Sequence, residues 1–154
     1  MDLTELKWTK NINHQDGNKY CAYHIDPDLK IFKLHWKKGQ EENALKPKEG
    51  QLIILRQRTK VTHIVKLLNN TLYKEPHDTE FNIYRLVQVV WIADYWSVPP
   101  DQDIIFGFHV HLQGGKVMEL ETLPAFKTYW DSRGGLAEFQ NHVLKVLKLE
   151  RDSN

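Results

Sequence analysis

The chain predicts a mixed α+β fold, mostly β, in one domain. Three observations predict it. Short runs rich in Ile, Val, Tyr and Phe recur at close spacing from about residue 20 to 121, as in a barrel or sandwich rather than in an alternating strand–helix sheet. After Pro124 the apolar period changes: Leu136, Phe139, Val143, Val146 and Leu147 keep helical spacing, which predicts a packing helix over about 135–150. Finally, 154 residues with 41% hydrophobic and 27% charged side chains are the content of one ordinary domain, residues 1–154.

The elements follow in order. Residues 1–19 are turn-rich, with Asn11, Asn13, Asp16, Gly17 and Asn18. Tyr20 to Ile25 and Leu29 to Trp36 read as strands around the Asp26-Pro27-Asp28 turn. Lys37 to Glu49 is polar, a loop or a short helix. Gln51 to Arg58 and Val61 to Leu68 form the clearest hairpin, joined by a short connection and apolar on both faces. Asn69 to Thr79 reads as a loop or an irregular edge, carrying Pro76. Phe81 to Ala93 is a long strand, and Pro99-Pro100 ends regular structure. Ile104 to Leu112 and Val117 to Glu121 read as a second hairpin across Gly114-Gly115.

Several classes are excluded or disfavoured. No apolar run is long enough for a transmembrane helix, and no basic-then-apolar secretory leader is visible. The single cysteine, Cys21, forms no internal disulfide and rules out a Cys-rich zinc ribbon. A reducing, cytoplasmic setting is the expectation. No P-loop, GxGxxG or GxSxG occurs. Cys21, with His24 on the opposite face of its strand, reads as a buried structural thiol.

The formal charge of +1 hides an uneven layout. Lys30 to Lys66 carries ten Lys/Arg against three Asp/Glu, whereas Leu67 to Glu138 carries five against ten. Such a dipolar chain can orient on a polyanion. Equally, the lysines can solvate strand edges and discourage aggregation.

Two side-chain sets carry chemistry. His109 and His111 share one face of their predicted strand, because Phe106, Phe108, Val110 and Leu112 take the other. A three-residue Gly114-Gly115-Lys116 loop would set His111 beside Glu119 and His109 beside Glu121. That quartet suits a metal, and equally a pair of cross-strand His–Glu contacts on a wet face. The second set is aromatic. Trp36 stands beside Lys37-Lys38, and Trp91 precedes Asp94, Tyr95 and Trp96. Trp36, Trp91 and Trp96 are either core or the wall of a pocket that stacks a base, with Asp94 reading its edge.

The segment Lys46-Pro47-Lys48-Glu49-Gly50-Gln51-Leu52-Ile53-Ile54-Leu55 resembles the strand entry of the PUA-like superfamily, which includes the EVE, ASCH, YTH and SRA domains. The order of elements over about residues 29–112 is similar too. Gln51 stands where that group usually has Asp. The resemblance implies a curled β-barrel that binds RNA or DNA, often holding a modified base in an aromatic pocket. On the matching hairpin, Arg56, Arg58 and Lys60 would meet phosphates, together with Lys37 and Lys38. The expectation is thus a non-catalytic nucleic-acid reader without a cofactor. The alternatives are a small metal-dependent enzyme using His109, His111, Glu119 and Glu121, or a protein-interaction module docking through the C-terminal helix or the acidic half.

Overall fold

The structure, a computed structural model, describes residues 1–12, 30–93, 99–110 and 115–149. The strands are β1 (Leu6–Asn11), β2 (Ile31–Trp36), β3 (Leu52–Gln57), β4 (Lys60–Leu67), β5 (Tyr73–Lys74), β6 (Ile83–Ile92) and β7 (Val117–Glu119). The helices are α1 (Glu41–Ala44), α2 (Gln102–Phe106), α3 (Pro124–Trp130) and α4 (Gly135–Val146). The predicted strand Tyr20 to Ile25, with Cys21 and His24, lies outside the described residues, as do Asp94, Trp96, His111 and Gly114.

The strands form one mixed sheet in the order β2-β6-β4-β3-β1-β7, with β5 beside β6. β1 runs parallel to β3 and every other pairing is antiparallel. The sheet curls into a half-barrel, so the α+β, mostly-β expectation holds at that level. Among the described residues no helix is long and apolar enough to cross a membrane.

Alternation along each strand divides the apolar residues between two cores. Trp8, Phe32, Leu34, Trp36, Ile53, Leu55, Val65, Leu67 and Val87 fill the concave interior. Leu6, Leu52, Ile54, Val61 and Ile64 face outward and pack under Ile105, Phe106, Phe126, Trp130, Phe139 and Val143 of α2, α3 and α4. The period change after Pro124 is therefore a real helical layer, which packs on part of the outer sheet face.

The edges of the curl, β2 and β7, are joined by one side chain. Asn43 Oδ1 accepts hydrogen bonds from Trp36 Nε1 at 2.9 Å and from Val117 N at 2.7 Å, and its Nδ2 donates to Val117 O at 3.0 Å. Its amide thus replaces the peptide group of a neighbouring strand. Arg85, fully buried on β6, fixes α1 in place: Nη1 donates to Ala44 O and Pro47 O, and Nη2 to Asn69 O.

Two expectations are corrected. Leu6–Asn11 is a strand and not a turn-rich lead; it sits between β3 and β7 with Lys10 buried in it. The described part of the predicted strand Ile104 to Leu112, residues 104–110, forms no strand. Asp101 Oδ1 accepts from Asp103 N as an N-cap, Gly107 closes α2 at φ +82, and β7 pairs with β1 instead. A Cβ at Gly107 would meet the Tyr129 ring at 2.7 Å.

Candidate nucleic-acid interface

The structure scatters the predicted aromatic wall. Trp36 is fully buried in the concave core, beneath the Lys10 ammonium at 4.9 Å from its ring centroid. Trp91 packs against the helical core on the other side of the sheet. These two indoles share no pocket, because the sheet itself separates them.

The predicted phosphate contacts also change meaning. Arg56 is fully buried: its Nε donates to Thr9 Oγ1 at 2.9 Å and its Nη1 to Gln102 Oε1 at 3.4 Å. Its guanidinium braces β3 against β1 and α2, out of reach of a polyanion on the surface. Arg58 does stand exposed at the hairpin tip, where Arg58 and Thr59 adopt φ +49 and +67. Lys60 Nζ lies 3.4 Å from Asp101 Oδ2, Lys37 Nζ 3.7 Å from Glu80 Oε1, and Lys38 Nζ 2.7 Å from Asp78 Oδ1.

The metal alternative loses its register. With α2 in place of the expected strand, nothing sets His109 opposite Glu121. His109 is exposed, 3.5 Å from Asp103 Oδ1; Glu119 lies on β7 and Glu121 in the 3-10 turn that follows it. Among the described residues no group of three or more His, Cys, Asp or Glu is placed to hold a metal.

A different surface emerges at the half of the outer sheet face beyond the helices. Cross-strand pairing arranges it in rows. Ile31, Gln88 and Lys66 form one, and Lys33 with Leu86 and Leu68 the next. His35, Tyr84 and Tyr73 form the third. Lys33, Lys66 and Gln88 are exposed, Ile31 is 54% exposed, and the others are half-buried. Tyr73 and Tyr84 stack at 5.3 Å with 13° between their planes, and the His35 ring lies 5.5 Å from Tyr84. Lys33 Nζ sits 4.7 Å over the Tyr84 ring. Asn69 Nδ2 donates to Tyr73 OH at 3.1 Å, which orients that ring.

One carboxylate knits this face together. Glu75 Oε1 accepts from Lys33 Nζ at 3.1 Å and meets His35 Nε2 at 3.2 Å. The hydrogen bonds from His35 and Lys33 hold its carboxyl below the usual range, and the same contact raises the Lys33 ammonium. Sequence reasoning missed these residues because it sought tryptophans. The signal was present in the alternation of β2, where Ile31, Lys33 and His35 face away from Phe32, Leu34 and Trp36.

The seam closed by Asn43 leaves a groove of about 650 Å³ lined in part by Trp8, Gln40 and Leu123. Its rim mixes Glu41, Glu42 and Glu119 with Lys46 and Lys116, so it favours neither sign of ligand charge. No family model matches the chain, and no curated protein or solved structure matches it either.

Proposed function

We propose that the protein is a non-catalytic nucleic-acid-binding domain that lays a single strand across the outer face of β2, β6 and β4. The observation that carries this reading is the coincidence, on one exposed sheet face, of the His35–Tyr84–Tyr73 row with Lys33 and Lys66. Aromatic rings on a sheet stack bases without regard to sequence, and flanking lysines meet phosphates. The half-buried Leu86 and Leu68 between the rows give a base an apolar floor. A PUA-like barrel is part of the same proposal, supported by the curl of the sheet and by Gly50, at φ +84, where the chain enters β3.

On this reading the contact surface lies away from Trp36, Trp91 and Arg56. Fluorescence anisotropy with labelled 12-nucleotide oligouridylate and oligothymidylate tests it. Tyr84→Ala should weaken binding by about 1–3 kcal/mol, the worth of one base stack. Lys66→Glu should weaken binding to both oligonucleotides and flatten the salt dependence. Wild-type affinity retained in both variants would remove the sheet face as the interface.

A further inference from the structure

The lysines of β2 and its C-terminal extension are not solvated separately. Each is matched by a carboxylate from one short segment, residues 75–80, between β5 and β6. Glu75 Oε1 lies 3.1 Å from Lys33 Nζ, Asp78 Oδ1 2.7 Å from Lys38 Nζ, and Glu80 Oε1 3.7 Å from Lys37 Nζ. The segment is fixed alongside by main-chain bonds, Glu75 N to Asn82 O at 2.7 Å and Lys38 N to Glu80 O at 2.8 Å. Three carboxylates within six residues are thus held against three lysines within six residues, a row of anions that a phosphate backbone would replace. The Glu75 contact does more, because it holds the Lys33 ammonium across the Tyr84 ring face that a base would use.

We infer that the Glu75–Glu80 segment is an internal competitor for the polyanion, occupying Lys33 of the binding face and the neighbouring Lys37 and Lys38 until a strand displaces it. The inference rests on the nucleic-acid reading above and adds a selectivity device to it. The ion pairs are exposed, with side-chain exposures of 50% for Lys33, 60% for Lys38, 69% for Glu80 and 77% for Asp78, and exposed pairs are individually weak. A ligand with closely spaced phosphates meets all three lysines at once and replaces them together, whereas an isolated anion gains too little from any one. Added salt also screens the internal ion pairs, so it loosens the competitor while it weakens the phosphate contacts. The wild-type protein is therefore expected to show an unusually shallow salt dependence for its number of lysines.

The test compares wild-type protein with the combined variant Glu75→Gln, Asp78→Asn, Glu80→Gln, using the same labelled 12-nucleotide oligouridylate at about 50 and 200 mM salt. The variant should bind about tenfold or more tightly at the lower salt. Its salt slope should steepen by about 2, three freed lysines at about 0.7 each on a single strand. If wild type binds and the variant matches it in both affinity and slope, the competitor role is overturned while the interface stands. If neither protein binds at the lower salt, the nucleic-acid reading itself fails, and this inference with it. Should the triple variant lose its fold, Asp78→Asn alone, at the most exposed of the three carboxylates, is expected to gain about two- to threefold. An unchanged affinity there overturns the proposal.

Discussion

Ile64 and Lys66 stand two residues apart on β4 and point to the same side of the sheet, yet Ile64 is fully buried and Lys66 is exposed. The boundary between them is where the helical layer stops. On one side, α2, α3 and α4 cover the sheet with Phe106, Phe126, Trp130 and Phe139. On the other, the strands present lysines and half-buried rings. The same backbone ladder thus supports a core and an open face, and side-chain choice on alternate positions decides which. Residues that face helices hold the fold, and residues past their end form the proposed contact face.

Mutations should split along that boundary. Phe139→Ala, in the covered half, empties a site where Phe106, Phe126 and Trp130 converge within 5.3–5.8 Å ring distances. It should cost about 3–5 kcal/mol in urea denaturation. Arg85→Leu strands the carbonyls of Ala44, Pro47 and Asn69 and frees α1 from the sheet. A loss of about 2 kcal/mol or more is expected, with the amide shift of Val117 moving as Asn43 lets go of it. Tyr84→Ala, in the uncovered half, should cost under about 1 kcal/mol of stability while still impairing oligonucleotide binding. A large stability loss there would mean the uncovered face is a core after all.

Lys10 gives the interior its own signature. Burial pushes its ammonium down from 10.5 to about 7, with repulsion from Arg56 and Lys37 adding to the effect. The unfolded chain keeps that proton up to about 10.5, so between about 7 and 10.5 it binds more protons than the native state. Stability then rises with pH across this window through Lys10. Lys10→Met should remove that slope from urea midpoints measured at about pH 7.5 and 9.5. A slope that survives the substitution would assign it to another group. The smallest effect is at the hairpin tip: Thr59, β-branched at φ +67, occupies a region that suits glycine. Thr59→Gly should raise stability by up to about 1 kcal/mol without altering oligonucleotide affinity.

The legible parts of the chain are those with a sustained apolar pattern. The β3–β4 hairpin is readable from two apolar runs on either side of a short connection, β6 from its long β-branched and aromatic run, and α4 from its helical apolar spacing. β1 is not, because Leu6–Asn11 mixes Lys, Thr and Asn among its core positions, and those polar side chains find partners only in the folded state. Thr9 Oγ1 donates to Ile54 O, and Lys10 Nζ to Gly115 O. α2 carried its signals in plain sight, with Asp101 before it and Gly107 after it, but the β preference of Ile104-Ile105-Phe106 outweighed them. The candidate interface was half legible. β2, β4 and β6 are readable in the sequence, whereas the two-residue β5 reads as loop or irregular edge, and the pairing that gathers Tyr73, Tyr84 and His35 into one row depends on register across three strands.

The position of β1 also has a consequence for how the chain comes together in time. This first strand is flanked by β3 on one side and β7 on the other, and its Lys10 meets Gly115 from 105 residues away. Gln140 of α4 then donates to the carbonyls of Thr4 and Leu6. The chain must therefore be made as far as β7 before β1 has both neighbours. The β3–β4 hairpin closes over a two-residue turn, whereas β1 depends on partners far along the chain, and long-range pairing of that kind slows folding.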